Sequence, residues 1–257
     1  SVERDADPAD VENWYRSNPA LGIRISEEFV RAEFEAMEGT PGEFARERLG
    51  IGDDPQTEDS RPVKLPVDKW VATVRRSVPN PQPGKVTIGF DADRDGTSVS
   101  LVIGYGSLEE PVVEQIEHRV DSGWLPAELV RLVKKWKPVA VGCNGAGPAT
   151  ALVGPVLKAF TDAGIKPDLL TQLGTKEYVA ACGGFYNDVI EGRLMRPAVD
   201  QGPLDRAAGD ASERQVGDAW AWDRRQATVP ISPLVAATVA RALLPVKTAP
   251  GLWVARR

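Results

Sequence analysis

The sequence has few of the residues that build metal clusters and disulfide frameworks. It contains two cysteines, Cys143 and Cys182, and one histidine, His118. Two cysteines indicate neither a zinc site nor a disulfide-rich fold, and a single histidine excludes any site that needs two. Cysteine usage of this kind is typical of a protein in a reducing compartment.

Long apolar runs and an excess of positive charge are also missing. No stretch of about 18 apolar residues occurs, so we expect no membrane partner. The formal net charge of −6 argues against a broadly basic nucleic-acid surface, although it leaves room for a local basic patch. The phosphate-loop pattern G-x-x-x-x-G-K-[ST] does not occur, and we therefore expect no ATP hydrolysis.

The chain is long enough for one large domain with an extension. Its 257 residues are 42% apolar and 26% charged, which is ordinary for a globular protein. Residues 1–60 are polar and contain short helical patterns at 8–17, 26–39 and 41–50, and a further short helix is expected at 67–76. The proline-rich stretch PNPQPG at 79–84 predicts a rigid break. We therefore predict a helical extension over residues 1–84 and a main domain over residues 85–257.

The main domain begins with a predicted β-hairpin. Residues 85–106, KVTIGFDADRDGTSVSLVIGYG, consist of an apolar strand, a turn rich in Asp and Gly, and a second strand with alternating apolar residues. Residues 111–120 predict a third strand. Helices are then predicted at 126–136, 149–163, 175–190, 204–215 and 232–243, with short strands at 138–143 and 169–170. This order predicts an α/β fold in which helices flank a mixed β-sheet.

Polar side chains gather where the predicted strands end. Asp91, Asp93 and Asp95 follow the first strand, and Asn144 follows the strand at 138–143. Because neighbouring strand ends meet at one edge of an α/β sheet, we expect these side chains to lie close together. A solvated turn is the alternative interpretation of the acidic residues, since Asp and Gly dominate turns.

A further carboxylate for such a site can come from Asp218 or Asp223, in the segment VGDAWAWDRR. Carboxylates that converge from separate strands and a helix are what a two-metal phosphodiester hydrolase needs. An alternative of another class is the phosphate-binding first hairpin of actin-like ATPases and sugar kinases, which is also rich in Asp. That fold requires a second similar domain with its own Gly-rich loop, and the sequence has no such domain.

Several short segments occur in a characteristic order along the chain. They are NPALGIRIS, GEFARERLG and Lys69-Trp70, followed by IGFDADRDG, VAVGCNGAGPATAL, EGRL, GDAWAWDRR and ISPLVAATVA. Together, in this order and spacing, they resemble the C-terminal part of the large terminase subunit of tailed bacteriophages. The first three resemble the segment that joins the ATPase to the nuclease, and the others resemble the nuclease domain.

The resemblance implies a ribonuclease H-like nuclease that uses Mg²⁺ or Mn²⁺, with two ions, to cut concatemeric viral DNA during packaging. Its implied partners are double-stranded viral DNA, the terminase ATPase domain, the portal and the small terminase subunit. The implied location is the host cytoplasm, at the procapsid portal. A junction-resolving or other ribonuclease H-like nuclease would share this chemistry but lack the NPALGIRIS and ISPLVAA segments.

By the same resemblance, Asp91 matches the first-strand aspartate of the family, and Asn144 stands where the family usually carries its second aspartate. Pro230 stands where related sequences often have an acid, so Asp218 is the preferred third acid and Asp223 the second choice. The predicted catalytic residues are Asp91, Asn144 and Asp218, and the predicted metal ligands are these three with Asp93 and Asp223.

The departure at Asn144 leaves several interpretations open. The alternatives are that nuclease activity is reduced, that Asp93 serves in place of Asn144, or that a deliberate substitution has removed the activity. Asn144 and Pro230 also favour a catalytically silent terminase domain that binds DNA or the packaging motor without cutting. Basic side chains near the motifs are the candidate DNA contacts: Lys176, Arg214, Arg224 and Arg225. We expect them to read the DNA backbone in a salt-sensitive way.

Overall fold

The computed structural model describes residue 7 and residues 9–18, 21–22, 25–36, 44, 49, 63–248 and 252–254. The chain divides into two compact units, Ser1–Arg61 and Pro62–Arg257, and each is described by itself. The domain boundary predicted at residue 84 stays a prediction, while the contacts group the described residues 63–84 with the second unit.

Two short helices form the described part of the first unit, α1 (Val11–Ser17) and α2 (Glu27–Ala36). Both helices are capped at the N-terminus: Asp10 accepts a hydrogen bond from the Glu12 N–H, and Ser26 accepts one from the Phe29 N–H. A small core contains Trp14, Leu21, Val30, Phe44 and Leu49. Apart from Phe44 and Leu49, the helix predicted at 41–50 lies outside the described residues, as do residues 51–62.

The second unit contains the remaining described elements. Its helices are α3 (Val67–Val71), α4 (Leu125–Trp136), α5 (Thr150–Asp162), α6 (Thr175–Ile190), α7 (Gly202–Gly209) and α8 (Ser232–Ala242). Its strands are β1 (Val74–Arg75), β2 (Val86–Ala92), β3 (Ser98–Gly106), β4 (Pro111–Val120), β5 (Ala140–Asn144), β6 (Leu170–Leu173), β7 (Arg196–Pro197), β8 (Glu213–Val216), β9 (Ala219–Trp222), β10 (Val246–Thr248) and β11 (Leu252–Val254). No helix among the described residues is long and apolar enough to cross a membrane.

A five-stranded mixed sheet forms the centre of this unit. Its strand order is β4-β3-β2-β5-β6; β2, β3 and β4 pair in antiparallel fashion, and β5 and β6 run parallel to β2. The predicted hairpin is present, with Asp91 opposite Ser100. This strand order, with helices on both faces, confirms the predicted ribonuclease H-like α/β fold.

Helices cover both faces of the sheet, and every residue of β2 is buried. On one face, apolar residues of β2 form a core with α4 and α5. On the other face, α8 lies directly against β2 and β3, and a Cβ on Gly89 would overlap the Ala236 backbone. The Thr87 hydroxyl donates a hydrogen bond of 2.6 Å to the Ala240 carbonyl oxygen. Glycine at position 89 therefore permits the close approach of α8.

Two predicted helices differ from the structure. The helix predicted at 204–215 ends at Gly209, and Glu213–Val216 instead forms a β-hairpin with Ala219–Trp222. The turn between these strands contains Gly217 at φ +61°, a left-handed conformation that glycine adopts without strain. The helix predicted at 67–76 ends at Val71, because Val74–Arg75 pairs with β7.

Candidate functional site

Asp91 lies near the end of β2, on the face of the sheet that α8 covers. Gly89 and Thr87 contact α8, and Asp91 shares their face because alternate side chains of a strand point the same way. Its side chain is fully buried. Neither carboxylate oxygen has a hydrogen-bond partner of good geometry. A buried carboxylate without hydrogen bonds is costly, which makes Asp91 a candidate functional residue.

Arg224, which follows β9, supplies the positive charge beside this carboxylate. Its Nη2 lies 2.6 Å from Asp91 Oδ2, close enough for an ion pair but not aligned as a hydrogen bond. Its Nη1 donates a hydrogen bond of 2.9 Å to the Ala92 carbonyl oxygen, 132 residues earlier in the chain. Burial raises the pKa of Asp91 to about 6, although the Arg224 charge opposes this rise.

Asn144 ends β5, the neighbour of β2 in the sheet, and is 4% exposed. Its Oδ1 accepts a hydrogen bond of 3.0 Å from the Ala146 N–H. The amide nitrogen, Nδ2, therefore points the other way, toward Gly147: a Cβ on Gly147 would lie 3.0 Å from Nδ2 and 3.4 Å from Arg224 Nη2. Two nitrogen donors thus face one small space.

A cavity of about 510 Å³ opens beside these residues. Its lining includes Asn144, Gly147, Tyr178, Asp223 and the arginines Arg94, Arg214, Arg224 and Arg225. A second cavity of about 330 Å³ shares three of those arginines and is also lined by Asp93 and Asp95. Three of the four predicted DNA contacts, Arg214, Arg224 and Arg225, therefore line one cavity.

The other predicted residues are placed differently. Asp218 is exposed in the turn between β8 and β9 and does not line either of these cavities, whereas Asp223 does. Lys176 is exposed near the start of α6 and lines a separate cavity. The structure thus brings the second choice for the third acid, rather than the first, to the cavity beside Asn144.

Asp93 and Asp223 are already engaged by local hydrogen bonds. Asp93 Oδ2 accepts from the hydroxyls of Thr97 and Ser98, at 2.7 and 3.1 Å. Burial alone would raise the pKa of Asp93, but these hydroxyls and the backbone N–H groups beside them lower it below its ordinary value. Asp223 Oδ1 accepts a hydrogen bond of 2.7 Å from the Arg225 N–H.

Among the residues that line the cavity, sequence reasoning missed Arg94 and Tyr178. Arg94 lies inside the acidic turn DADRDG, and a basic residue among carboxylates could have identified it as a candidate site residue. Tyr178 lies in α6, is 4% exposed, and its hydroxyl has no hydrogen-bond partner. Its position depends on how α6 packs, and the sequence contains no local signal for it.

The donor set does not fit a two-metal site. Within the described part of the chain, no group of three or more His, Cys, Asp or Glu side chains is placed to hold a metal ion. Asp91 is paired with Arg224, and the Asn144 oxygen already accepts one hydrogen bond from the Ala146 N–H. The metal-ligand roles of Asp91, Asn144, Asp218, Asp93 and Asp223 therefore stay predictions.

Comparison with solved structures finds proteins that share this fold. The HK97 bacteriophage large terminase matches over 93% of this chain with a TM-score of 0.53 and 16% identity. The chain shares the fold of a phage large terminase. It spans 55% of the length of the HK97 protein.

Two nuclease-domain structures also match. The large terminase nuclease of thermophilic phage G20c covers 70% of this chain and 99% of its own, at a TM-score of 0.49 and 11% identity. The nuclease domain of gp2 from bacterial virus Sf6 covers 72% of this chain and 100% of its own, also at a TM-score of 0.49 and 11% identity. Comparisons with protein-family models and with curated proteins give no match. At 16% identity, the likeness to the HK97 protein establishes the fold alone.

Proposed function

We propose that this chain is a DNA-binding domain of a phage genome-packaging terminase, with the nuclease fold but without metal-dependent cleavage. The observation that carries the proposal is the ion pair between Arg224 and Asp91. A guanidinium occupies the place beside the buried carboxylate where the chemistry would need a divalent cation. The neutral amide of Asn144 adds no negative charge that would attract such an ion.

A metal-dependent endonuclease that cuts concatemeric viral DNA with two Mg²⁺ or Mn²⁺ ions is the second candidate. The position of Asp91 near the end of a central strand favours it, because a strand end holds a carboxylate rigidly. Under either candidate, the proposed partners are double-stranded viral DNA, the terminase ATPase domain, the portal and the small subunit. The proposed location is the host cytoplasm, at the procapsid portal.

Plasmid binding and nicking distinguish the two candidates. The chain, Asp91→Ala and Asn144→Asp are incubated with supercoiled plasmid in EDTA, Mg²⁺ or Mn²⁺; structures of the G20c and Sf6 nucleases exist with magnesium and manganese. Asp162→Ala, which removes an exposed carboxylate, is the control. We expect the wild-type chain to retard the plasmid in all three conditions and to leave it supercoiled.

The contrary outcomes are distinct. Nicking by the wild-type chain that needs metal, is lost in Asp91→Ala and persists in Asp162→Ala would establish the endonuclease instead. Nicking by Asn144→Asp alone would support the proposal and would show that the wild-type chain does not cleave DNA because residue 144 is an amide. Failure to retard the plasmid under any condition would overturn DNA binding by this chain.

A further inference from the structure

The cavity beside Asn144 and Arg224 concentrates positive charge in a chain that is acidic overall. Four arginines, Arg94, Arg214, Arg224 and Arg225, line it, and Asp223 is the one carboxylate in the lining. The whole chain carries a formal charge of −6. Asp223 in the lining and Asp91, which is paired with Arg224, offset two of these four positive charges, so the remaining positive charge favours an anionic ligand.

Polar groups with unused hydrogen-bonding capacity line the same cavity. Arg224 Nη2 is ion-paired with Asp91 but makes no aligned hydrogen bond, and the buried Tyr178 hydroxyl has no hydrogen-bond partner. Asn144 Nδ2 and Arg224 Nη2 lie within 3.0 and 3.4 Å of one point in front of Gly147. Buried donors that lack acceptors cost free energy, and a ligand that supplies acceptor oxygens removes that cost.

The chemistry of these donors indicates an oxyanion. A guanidinium binds phosphate oxygens with a planar set of N–H groups, and an amide nitrogen and a phenol hydroxyl donate one hydrogen bond to each oxygen that they contact. A phosphate group offers several acceptor oxygens and negative charge. An aspartate in place of Asn144 would offer no donor and would repel it.

We propose that the cavity is a phosphate-binding site that works without a divalent cation and holds a backbone phosphate of DNA against Arg224, Asn144 and Tyr178. This inference rests on the proposed function and extends it by naming the contact. Arg224 balances the Asp91 charge and donates hydrogen bonds to the phosphate, while the other arginines of the lining supply the net positive charge. Asparagine at position 144 is then a functional residue, because its amide is a donor.

Fluorescence anisotropy with a short fluorescein-labelled duplex tests the site, in EDTA and in Mg²⁺. Asn144→Asp, Tyr178→Phe and Arg224→Gln are compared with the wild-type chain. The controls are Asn80→Asp and Arg76→Gln, which make the same charge changes at exposed positions away from the cavity. Thermal unfolding identifies any variant that fails to fold, and Tyr178→Phe retains the ring that packs in the core.

We expect the wild-type chain to bind in EDTA, and we expect Mg²⁺ not to strengthen the binding, because Mg²⁺ competes for the phosphates as any counterion does. Asn144→Asp and Arg224→Gln should weaken binding about tenfold or more, Tyr178→Phe about threefold, and the controls less than twofold. Arg224→Gln should also reduce the dependence of log affinity on log salt by about one unit, since one phosphate contact is lost.

The outcomes separate this inference from the proposed function. Tight DNA binding that none of the three cavity variants weakens beyond the controls would overturn the site and leave DNA binding intact. Wild-type binding that requires Mg²⁺ would overturn metal independence. If the duplex does not bind at all, the DNA contact and the proposed function both fall. Calorimetry with inorganic phosphate, on the wild-type chain and Asn144→Asp, then decides whether the cavity takes free phosphate.

Discussion

Two fully buried aspartates, Asp91 and Asp188, are paired with arginines in different ways. Asp188 Oδ1 accepts from Arg193 at 2.6 Å, and Oδ2 accepts from Arg241 Nε at 2.6 Å. Asp91 has Arg224 at the same distance, yet neither of its oxygens has a well-aligned hydrogen bond. The two carboxylates are therefore equally buried and equally close to an arginine, but only Asp188 has hydrogen bonds to both oxygens.

The difference follows from where each aspartate lies. Asp188 is inside α6, and Arg241 reaches it from α8, which packs against α6. Asp91 lies near a strand end, and its arginine lines a cavity. We call an ion pair saturated when both carboxylate oxygens accept aligned hydrogen bonds, and unsaturated when neither does. A saturated pair inside packed helices stabilises the fold, whereas an unsaturated pair beside a cavity leaves donors available for a ligand.

The largest expected effect comes from breaking the saturated pair. Asp188→Ala should lower the free energy of unfolding by about 3 kcal/mol, because Arg241 stays largely buried without its acceptor. Urea unfolding measures the loss. The matched control is Asp162→Ala, which breaks an exposed pair with Lys158 and should cost less than about 1 kcal/mol. Equal losses in the two variants would contradict the structural role of Asp188.

The unsaturated pair at Asp91 should make the free energy of unfolding depend on pH. The pKa of Asp91 is about 6 in the folded state against an ordinary value of 3.8, so the folded state holds the proton more tightly. Its contribution therefore favours folding at low pH and declines as the pH rises from about 4 to beyond 6. The total decline is roughly 2–3 kcal/mol.

Comparison with Asp91→Asn isolates this contribution from the other carboxylates. Unfolding free energies are measured in EDTA from pH 4 to pH 8, and the wild-type value minus the variant value is plotted. We expect the difference to fall with rising pH and to become constant above the folded-state pKa. A flat difference would show that Asp91 titrates normally.

Much of the fold could be predicted because local patterns determine it. The hairpin at 85–106, the strand at Pro111–Val120 and the helix at Thr175–Ile190 all show their periodicity in the sequence, and the structure confirms them. The helix predicted at 204–215 is wrong because the turn at Gly217 was not recognised. Turn chemistry there outweighs the helical pattern before it.

The site could be predicted only where its residues stand in motifs. Asp91, Asn144, Arg224 and Arg225 were found, but their pairing was not, since Asp91 and Arg224 are joined only by the packing of distant segments. The burial of Asp188 has no local sign in the sequence, because Arg241 reaches it from another helix. Local sequence shows which residues are candidates, and tertiary packing decides which of them meet.

The smallest expected effects come from two glycines that lie against the two arginines. A Cβ on Gly184 would lie 2.5 Å from Arg241 Nη1, whereas a Cβ on Gly147 would lie 3.4 Å from Arg224 Nη2. Gly184→Ala must displace the Arg241 side chain, which offsets the helix propensity gained by alanine, and we expect a net loss of about 1 kcal/mol. Gly147→Ala should leave stability within about 0.5 kcal/mol of the wild type.

DNA affinity should show the reverse order. The new methyl group of Gly147→Ala fills the space between Asn144 Nδ2 and Arg224 Nη2, so anisotropy should show affinity lowered about threefold. Gly184→Ala should bind as the wild type does, because Arg241 is outside the lining of that cavity. If both alanine variants changed only stability, the space in front of Gly147 would not be a DNA contact. The difference between the Asp91 and Asp188 pairs would then have no bearing on DNA binding.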